Sequence, residues 1–292
     1  MKIDKPEENK IKLNNQKVKK LNASKKFNRK KIFRLSILGL MIFFTLGAFA
    51  IFILTLSLPD ISKLKTYIPN ESSIVYDINN NIIANLHEEE NRTVVQLADI
   101  PKHVQEAVIA MEDERFFTHT GVDIKATARA VISIFDPTER LVKGGGSTIT
   151  QQLVRNIFLT RKISLYRKVS EILLAIKIER NFTKDQILEL YLNEVYWGHN
   201  AYGVESAAKL FFGKSAKDLN LSEASLIGGL LSSPEYYSPY KSIKLAKWRQ
   251  SLTLANMVRN NFITQEEADA AKNKVVYLVG LKNNYSQNFP YF

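Results

Sequence analysis

The stretch that most limits what this chain can become is Leu35 to Leu58, 24 consecutive residues without a charge, rich in Leu, Ile and Phe. A helix of about 20 such residues spans a bilayer. Its length argues against a buried core helix. A cleaved secretory signal has an apolar core of only about 7–15 residues and a small-residue cleavage site, which Leu56-Ser57-Leu58-Pro59 does not resemble. The stretch therefore predicts a membrane anchor at 35–58, dividing a tail (1–34) from residues 59–292. Thirteen Lys or Arg against Asp4, Glu7 and Glu8 give the tail +10 of the chain's formal +12. Basicity is thus local to the tail, and a nucleic-acid partner is not expected. Positive charge before the span holds that side in the cytoplasm, so an inner (cell) membrane protein with residues 59–292 outside is expected. With little apolar surface to bury, the tail itself is expected to be disordered.

The chain contains no cysteine and four scattered histidines, which gives no metal-ligand spacing. It has no glycine-rich nucleotide-binding motif. Residues 59–100 read as a connector with a hairpin: Ile74-Val75-Tyr76 and Ile82-Ile83-Ala84 are short strands around a polar turn, with Val94-Val95 as a third strand. From Pro101 on, three- and four-residue apolar spacing predicts helices at 101–113, 123–135, 147–158, 164–181, 184–194, 203–211, 222–232, 241–260 and 265–274. Thr183 to Gln186 and Thr264 to Glu267 have the capping-box form. The expectation is a mainly α domain over 101–274 with a small β-hairpin region, one preceding transmembrane helix, and an extension at 275–292.

Four stretches carry polar chemistry. Ala110 to Gly121 crowds Glu112, Asp113 and Glu114 against Phe116, Phe117 and His119. Glu112 falls in the last turn of its helix, where the negative dipole end favours the protonated form, a property suited to a general base. A solvated acid paired with Arg115 is the plainer alternative. Next, Lys143-Gly144-Gly145-Gly146 leads into Ser147-Thr148-Ile149-Thr150-Gln151-Gln152, a capped helix start that offers an anion site within reach of Arg155, or else only a turn. Arg167, Lys168 and Glu171 share a helix face, either as plain surface or as a phosphate-binding basic pair with a carboxylate beside it. Glu189 and Asn193 share another, as buried polar support or as surface, while Ile187, Leu188, Tyr191 and Leu192 of the same helix read mostly as core. Val131 to Leu141 is apolar enough to dip into a membrane or to pack in a core.

Together these stretches resemble the motifs of the bacterial peptidoglycan glycosyltransferase family, found as monofunctional enzymes and as the first domain of class A penicillin-binding proteins. Glu-Asp-Glu-Arg-Phe-Phe-x-His-x-Gly, Gly-Gly-Ser-Thr-Ile-Thr-Gln-Gln, Arg-Lys-x-x-Glu, Ile-Leu-Glu-x-Tyr-Leu-Asn and Ala-Ala-x-x-Phe-Phe-Gly-Lys occur in that order between Glu112 and Lys214. The resemblance implies a lysozyme-like helical domain that polymerises lipid II into β-1,4 glycan and releases polyprenyl diphosphate. It makes Glu112 the general base and Glu171 the family's second catalytic glutamate, electrostatic or metal-assisting in role. It implies substrate contacts from Arg129, Ser147, Thr148, Gln151, Gln152, Arg155, Arg167 and Lys168, with Asp113, Phe116, His119, Gly121, Glu189 and Asn193 in support. No cofactor is required by it, and a divalent cation, Mg or Mn, has room to act at the diphosphate. Implied partners are lipid II, the lipid-linked glycan chain, the membrane, and cell-wall synthesis and division proteins. Arg155 stands where the family often has lysine, which keeps the charge and changes its geometry.

A membrane-anchored lysozyme-like glycan-cleaving enzyme is the nearest alternative, but cutting needs no cationic diphosphate clamp. An inactive cell-wall scaffold would need neither glutamate. The end of the chain resembles the linker into a transpeptidase domain. No Ser-x-x-Lys followed by Lys-Thr-Gly is present, so penicillin binding is not expected of these residues.

Overall fold

A computed structural model describes residues 6–66, 73–76, 82–86, 91–132, 145–160, 162 and 164–280. The glycines' lead-in Lys143-Gly144, most of the Val131 to Leu141 lip and the residues after 280 lie outside the described residues. The chain divides into two units, Met1–Leu58 and Pro59–Phe292.

The first unit is one helix, α1, Pro6–Leu56. Its portion from Lys31 to Leu56, 26 residues with none of it buried, is long and apolar enough to cross a bilayer. The expected disorder of the tail is corrected, because the helix continues back through it to Pro6. Lys, Arg, Leu and Gln are good helix formers, and an existing helix extends at far lower cost than a new one nucleates.

The second unit is mainly helical, as expected. Strands β1 (Ser73–Tyr76) and β2 (Ile82–Leu86) form the predicted antiparallel hairpin, with Val75 opposite Ala84. The third strand is not Val94-Val95: β3 is Asn91–Arg92, and it pairs in parallel with β5 (Ala201–Tyr202), which pairs antiparallel with β4 (Tyr196–Gly198). That β4–β5 hairpin lies between two predicted helices, where no strand is expected. Its turn is made by Gly198, His199 and Asn200, all at positive φ, a conformation that Gly and Asn tolerate best.

Helix α2 (Lys102–Glu112) starts one residue late, with Pro101 extended at the cap position and not inside the helix. It packs against α8 (Leu221–Gly228) and α10 (Ile243–Arg259). The α2–α8 approach is close: a Cβ on Gly228 would sit 3.2 Å from that of Ala107. Around them lie α3 (Ile124–Ile132), α4 (Ile149–Phe158), α5 (Leu165–Glu179), α6 (Lys184–Glu194), α7 (Val204–Phe212), the short α9 (Pro234–Tyr237) and α11 (Gln265–Asn273). Helix α4 packs on both α5 and α6. The predicted 222–232 helix ends at Gly228, with a turn before α9. Full capping boxes open α4 at Thr148, α6 at Thr183, α8 at Asn220 and α11 at Thr264. Each satisfies two otherwise orphaned donors, and so fixes where its helix begins. Trp197, Tyr191, Phe116 and Phe211 are the largest fully buried side chains.

Candidate active site

The site is built on the two ends of one contact, between the C-terminus of α2 and the first turns of α4. Glu112 closes α2 and is partly exposed, and Gln152 Nε2 donates to its Oε2 at 2.8 Å. Burial pushes the Glu112 carboxyl up from the ordinary glutamate range, and Asp113 adds to this. The Gln152 hydrogen bond and the charges of Arg249 and Arg155 work the other way without prevailing. The expected rise is therefore present, but desolvation is its main cause rather than the helix dipole. Arg115 is not its partner: that guanidinium forms an ion pair with Asp123.

Asp113 is buried, and its Oδ2 accepts from His119 Nε2 (2.8 Å) and from the backbone N–H of Ile149 (2.9 Å). The anion held at the N-terminus of α4 is therefore Asp113 itself, which corrects the expectation of an open anion site there. His119 Nδ1 accepts the Gly121 N–H at 3.1 Å, which assigns the ring's other hydrogen to the Asp113 contact. Gly121 has φ +97°, and a Cβ on it would lie 2.8 Å from the backbone of Ala175 in α5. Only glycine fits, and its carbonyl accepts from Thr148 Oγ1 at 2.8 Å. Phe116 is fully buried, with Lys184 Nζ 4.5 Å from its ring centre. Lys184 is also paired with Glu179, which accepts from Thr150 Oγ1 at 2.6 Å and lies 3.7 Å from His119.

Ser147, at the entrance to α4, accepts from Lys168 Nζ at 2.8 Å, and the same ammonium reaches Glu171 Oε2 at 2.9 Å. Arg167 Nε lies 3.1 Å from the other Glu171 oxygen. Glu171 is buried beneath the two cations, which are more exposed. Gln152 lies in the first turn of α4 and Ser147 just before its cap, so the start of α4 meets both Glu112 and the α5 cations. Arg155, one turn beyond Gln152, acts electrostatically on both Glu112 and Tyr191.

Several residues expected to touch substrate make contacts within the protein. Thr148 and Gln151 are buried, with their polar groups engaged in the α4 capping box, which gives them a framework role. Arg129 donates to Glu114 at 2.8 Å, and Arg259 of α10 takes the other Glu114 oxygen at 3.1 Å. Burial opposes ionisation of Glu114, but the Arg129 hydrogen bond and charge, with those of Arg259, hold its carboxyl below the usual range. Arg129 is thereby committed to a cross-element tie. Glu171, expected as catalytic, faces the two cations and orients them. Glu189 and Asn193 are support: Glu189 Oε2 accepts the Leu97 N–H at 2.7 Å, and Asn193 exchanges hydrogen bonds with both backbone groups of Val95.

Two residues gain a bearing on the site that their sequence context does not show. Arg249 in α10 is buried, donates to Gly229 O and Ser232 Oγ at 2.8 Å each, and lies 4.8 Å from the Tyr237 ring centre. Burial lowers its pKa, opposed by Tyr237 and Glu112. No local pattern marks it, since its relation to Glu112 exists only after α10 packs on α2. Tyr191, core by its spacing, is fully buried, but its hydroxyl also donates to Gln152 Oε1 at 3.3 Å. Burial and the neighbouring Glu112 push its phenol well above the usual range.

A carboxyl with raised proton affinity, and a pair of cations that meet the same helix start, suit proton transfer next to an anionic group. A model of the Transglycosylase family matches residues 79–258. Penicillin-binding protein 1A of Aquifex aeolicus (strain VF5) is 42% identical over 241 residues, covering 82% of this chain and 33% of that protein. Penicillin-binding protein 1A of Neisseria gonorrhoeae is 38% identical over 232 residues, 80% of this chain and 29% of the relative. A crystal structure of penicillin-binding protein 1A from Haemophilus influenzae is 24% identical, with a TM-score of 0.44, over 74% of this chain and 22% of that one. The chain belongs to the transglycosylase family, and its matched region is a peptidoglycan glycosyltransferase domain. It spans about a third of the length of these curated relatives.

Proposed function

We propose that this chain polymerises lipid II into β-1,4 glycan by inverting transfer. Glu112 takes the proton from the acceptor sugar's 4-hydroxyl as that oxygen bonds to the anomeric carbon of the lipid-linked donor. The bond from that carbon to the diphosphate oxygen breaks, and polyprenyl diphosphate leaves with the electron pair. A diphosphate is already a good leaving group, so cations replace a general acid. Arg167, Lys168, Arg155 and the Ser147 hydroxyl stabilise it, with Glu171 holding the first two in place. The observation that carries this reading is the Glu112–Gln152 contact on the same helix whose entrance binds Lys168.

A cleaving enzyme has no use for the Arg167–Lys168 pair, which disfavours that alternative. Both Glu171 oxygens already face cations, and among the described residues no group of three or more His, Cys, Asp or Glu gathers as metal ligands do. These side chains do not fit a resident metal, so any Mg or Mn stimulation is assigned to an ion that arrives with the diphosphate.

On this reading α1 crosses the cytoplasmic membrane with its basic end inside and the catalytic domain outside. Tethering enzyme and lipid-linked substrate to one surface raises their effective concentration. Cell-wall synthesis and division proteins are the partners expected there. The test is labelled lipid II supplied to the reconstituted chain: wild type makes glycan strands and Glu112→Gln makes almost none. Equal strand formation by both would refute Glu112 as the base.

A further inference from the structure

Gln152 stands between two groups that make opposite demands on its amide. An ionised Glu112 carboxylate only accepts hydrogen bonds, so the Gln152 NH2 must face it. The oxygen then points away, toward the interior. There it meets the Tyr191 hydroxyl of α6, which donates at 3.3 Å. We infer that Tyr191 is a positioning residue for Glu112, acting through Gln152: its hydroxyl fixes the amide orientation that presents N–H to the base.

The chain Tyr191 to Gln152 to Glu112 joins α6, α4 and α2. At 3.3 Å the inner bond is long, worth little as a stabiliser, and effective as an orienter because a buried amide oxygen without a donor is costly. When Glu112 takes the acceptor's proton it becomes a donor, and Gln152 must turn its oxygen to meet it; the Tyr191 hydroxyl then loses its acceptor, so the arrangement favours the ionised carboxylate. The charged or titratable neighbours that bear on this assembly are Asp113, Arg155 and Arg249 around Glu112, and Asp113 and Arg155 around Tyr191. All are left intact by a change confined to the hydroxyl.

The functional consequence rests on the glycosyl-transfer reading, but the geometry does not, and the test keeps them apart. The full chain in detergent micelles, labelled with 13C at glutamate carboxyls, is titrated by NMR, and polymerisation of lipid II is followed against pH. In Tyr191→Phe, both the Glu112 midpoint and the acid limb of the rate profile move up by about 0.5–1 pH unit, a three- to tenfold change in proton affinity. A midpoint that stays in place, or a rate that falls equally at all pH values, overturns the proposal. Replacing Tyr191 with 3-fluorotyrosine keeps the ring and its packing while strengthening the donor, so the midpoint moves down. If Tyr191→Phe does not fold, the absence of that downward shift overturns the proposal by itself. In a Gln152→Leu background the Tyr191→Phe shift vanishes, and its persistence would overturn the relay by showing a path that bypasses Gln152. A wild type that makes no strands, with midpoints moving as stated, refutes the lipid II reading and leaves the relay standing.

Discussion

Glu112 and Glu171 are the same residue type, on two helices whose side-chain contacts meet at the start of α4, in opposite environments. Glu112 meets a neutral amide at 2.8 Å while its cations act from further away, and burial raises its proton affinity. Glu171 is more deeply buried, yet both of its oxygens face cations at about 3 Å. What distinguishes them is the partner in contact, not the depth. The carboxyl in contact with Arg167 and Lys168 serves as their counter-ion and support.

That contrast can be broken most severely at Glu112. Glu112→Gln is expected to lower strand formation by about 10²–10⁴-fold, the usual contribution of general base catalysis, with the fold intact. Its stability should move the other way. A carboxyl whose folded pKa lies above its unfolded value binds protons more tightly when folded, so its contribution favours folding at low pH and is lost as pH rises through the folded pKa. Melting Glu112→Gln beside wild type should show a gain at pH 7 that shrinks toward pH 4, and a uniform loss would contradict the raised pKa. For the same reason wild-type activity falls on acidification at a higher pH than an ordinary glutamate would give.

Glu171→Gln sharpens the comparison from the other side. Removing one partner of a buried ion pair costs roughly 3–5 kcal/mol, but the Lys168 side chain is 40% exposed and water compensates, so about 1–3 kcal/mol is expected by denaturant melting. Its kinetic signature should be a raised KM for lipid II with an acid limb unchanged from wild type. A shifted limb would make Glu171 part of the proton path. Gly121→Ala tests the frame that both glutamates share, since its Cβ would meet the α5 backbone at positive φ. A loss of about 1–3 kcal/mol is expected, with activity falling in proportion to folded protein. The smallest effect is predicted for Arg129→Ala. That side chain ties Glu114, which Arg259 still holds, so the change should fall below about 1 kcal/mol with little change in KM.

The helices are legible in the sequence because their signals are local: Val104, Ala107 and Val108 mark a face of α2, and Thr183 and Thr264 mark where helices start. The β4–β5 hairpin is not, because its strands are only three and two residues long, too short for alternation to register against the apolar helical pattern around them. At the site, residue type and spacing mark Glu112 and the Arg167–Lys168–Glu171 group as candidates, while Gln152 enters only through the family resemblance. Neither tells that Thr148 and Gln151 cap α4 or that Arg129 ties Glu114, since a polar side chain near a motif looks the same whether it caps a helix, ties two elements or faces a substrate.

By itself the sequence determined the apolar span, the concentration of positive charge in the tail, the mainly helical domain and the family to which its motifs belong. These follow from composition, periodicity and motif order, which short-range chemistry writes along the chain. The tertiary structure decided which charges meet: Asp113 with the start of α4, Glu114 with Arg129 and Arg259, Arg249 in reach of Glu112, and Tyr191 behind Gln152. Those pairings join helices distant in sequence, and the strength of an electrostatic contact depends on separation and burial, neither of which exists until the helices have packed.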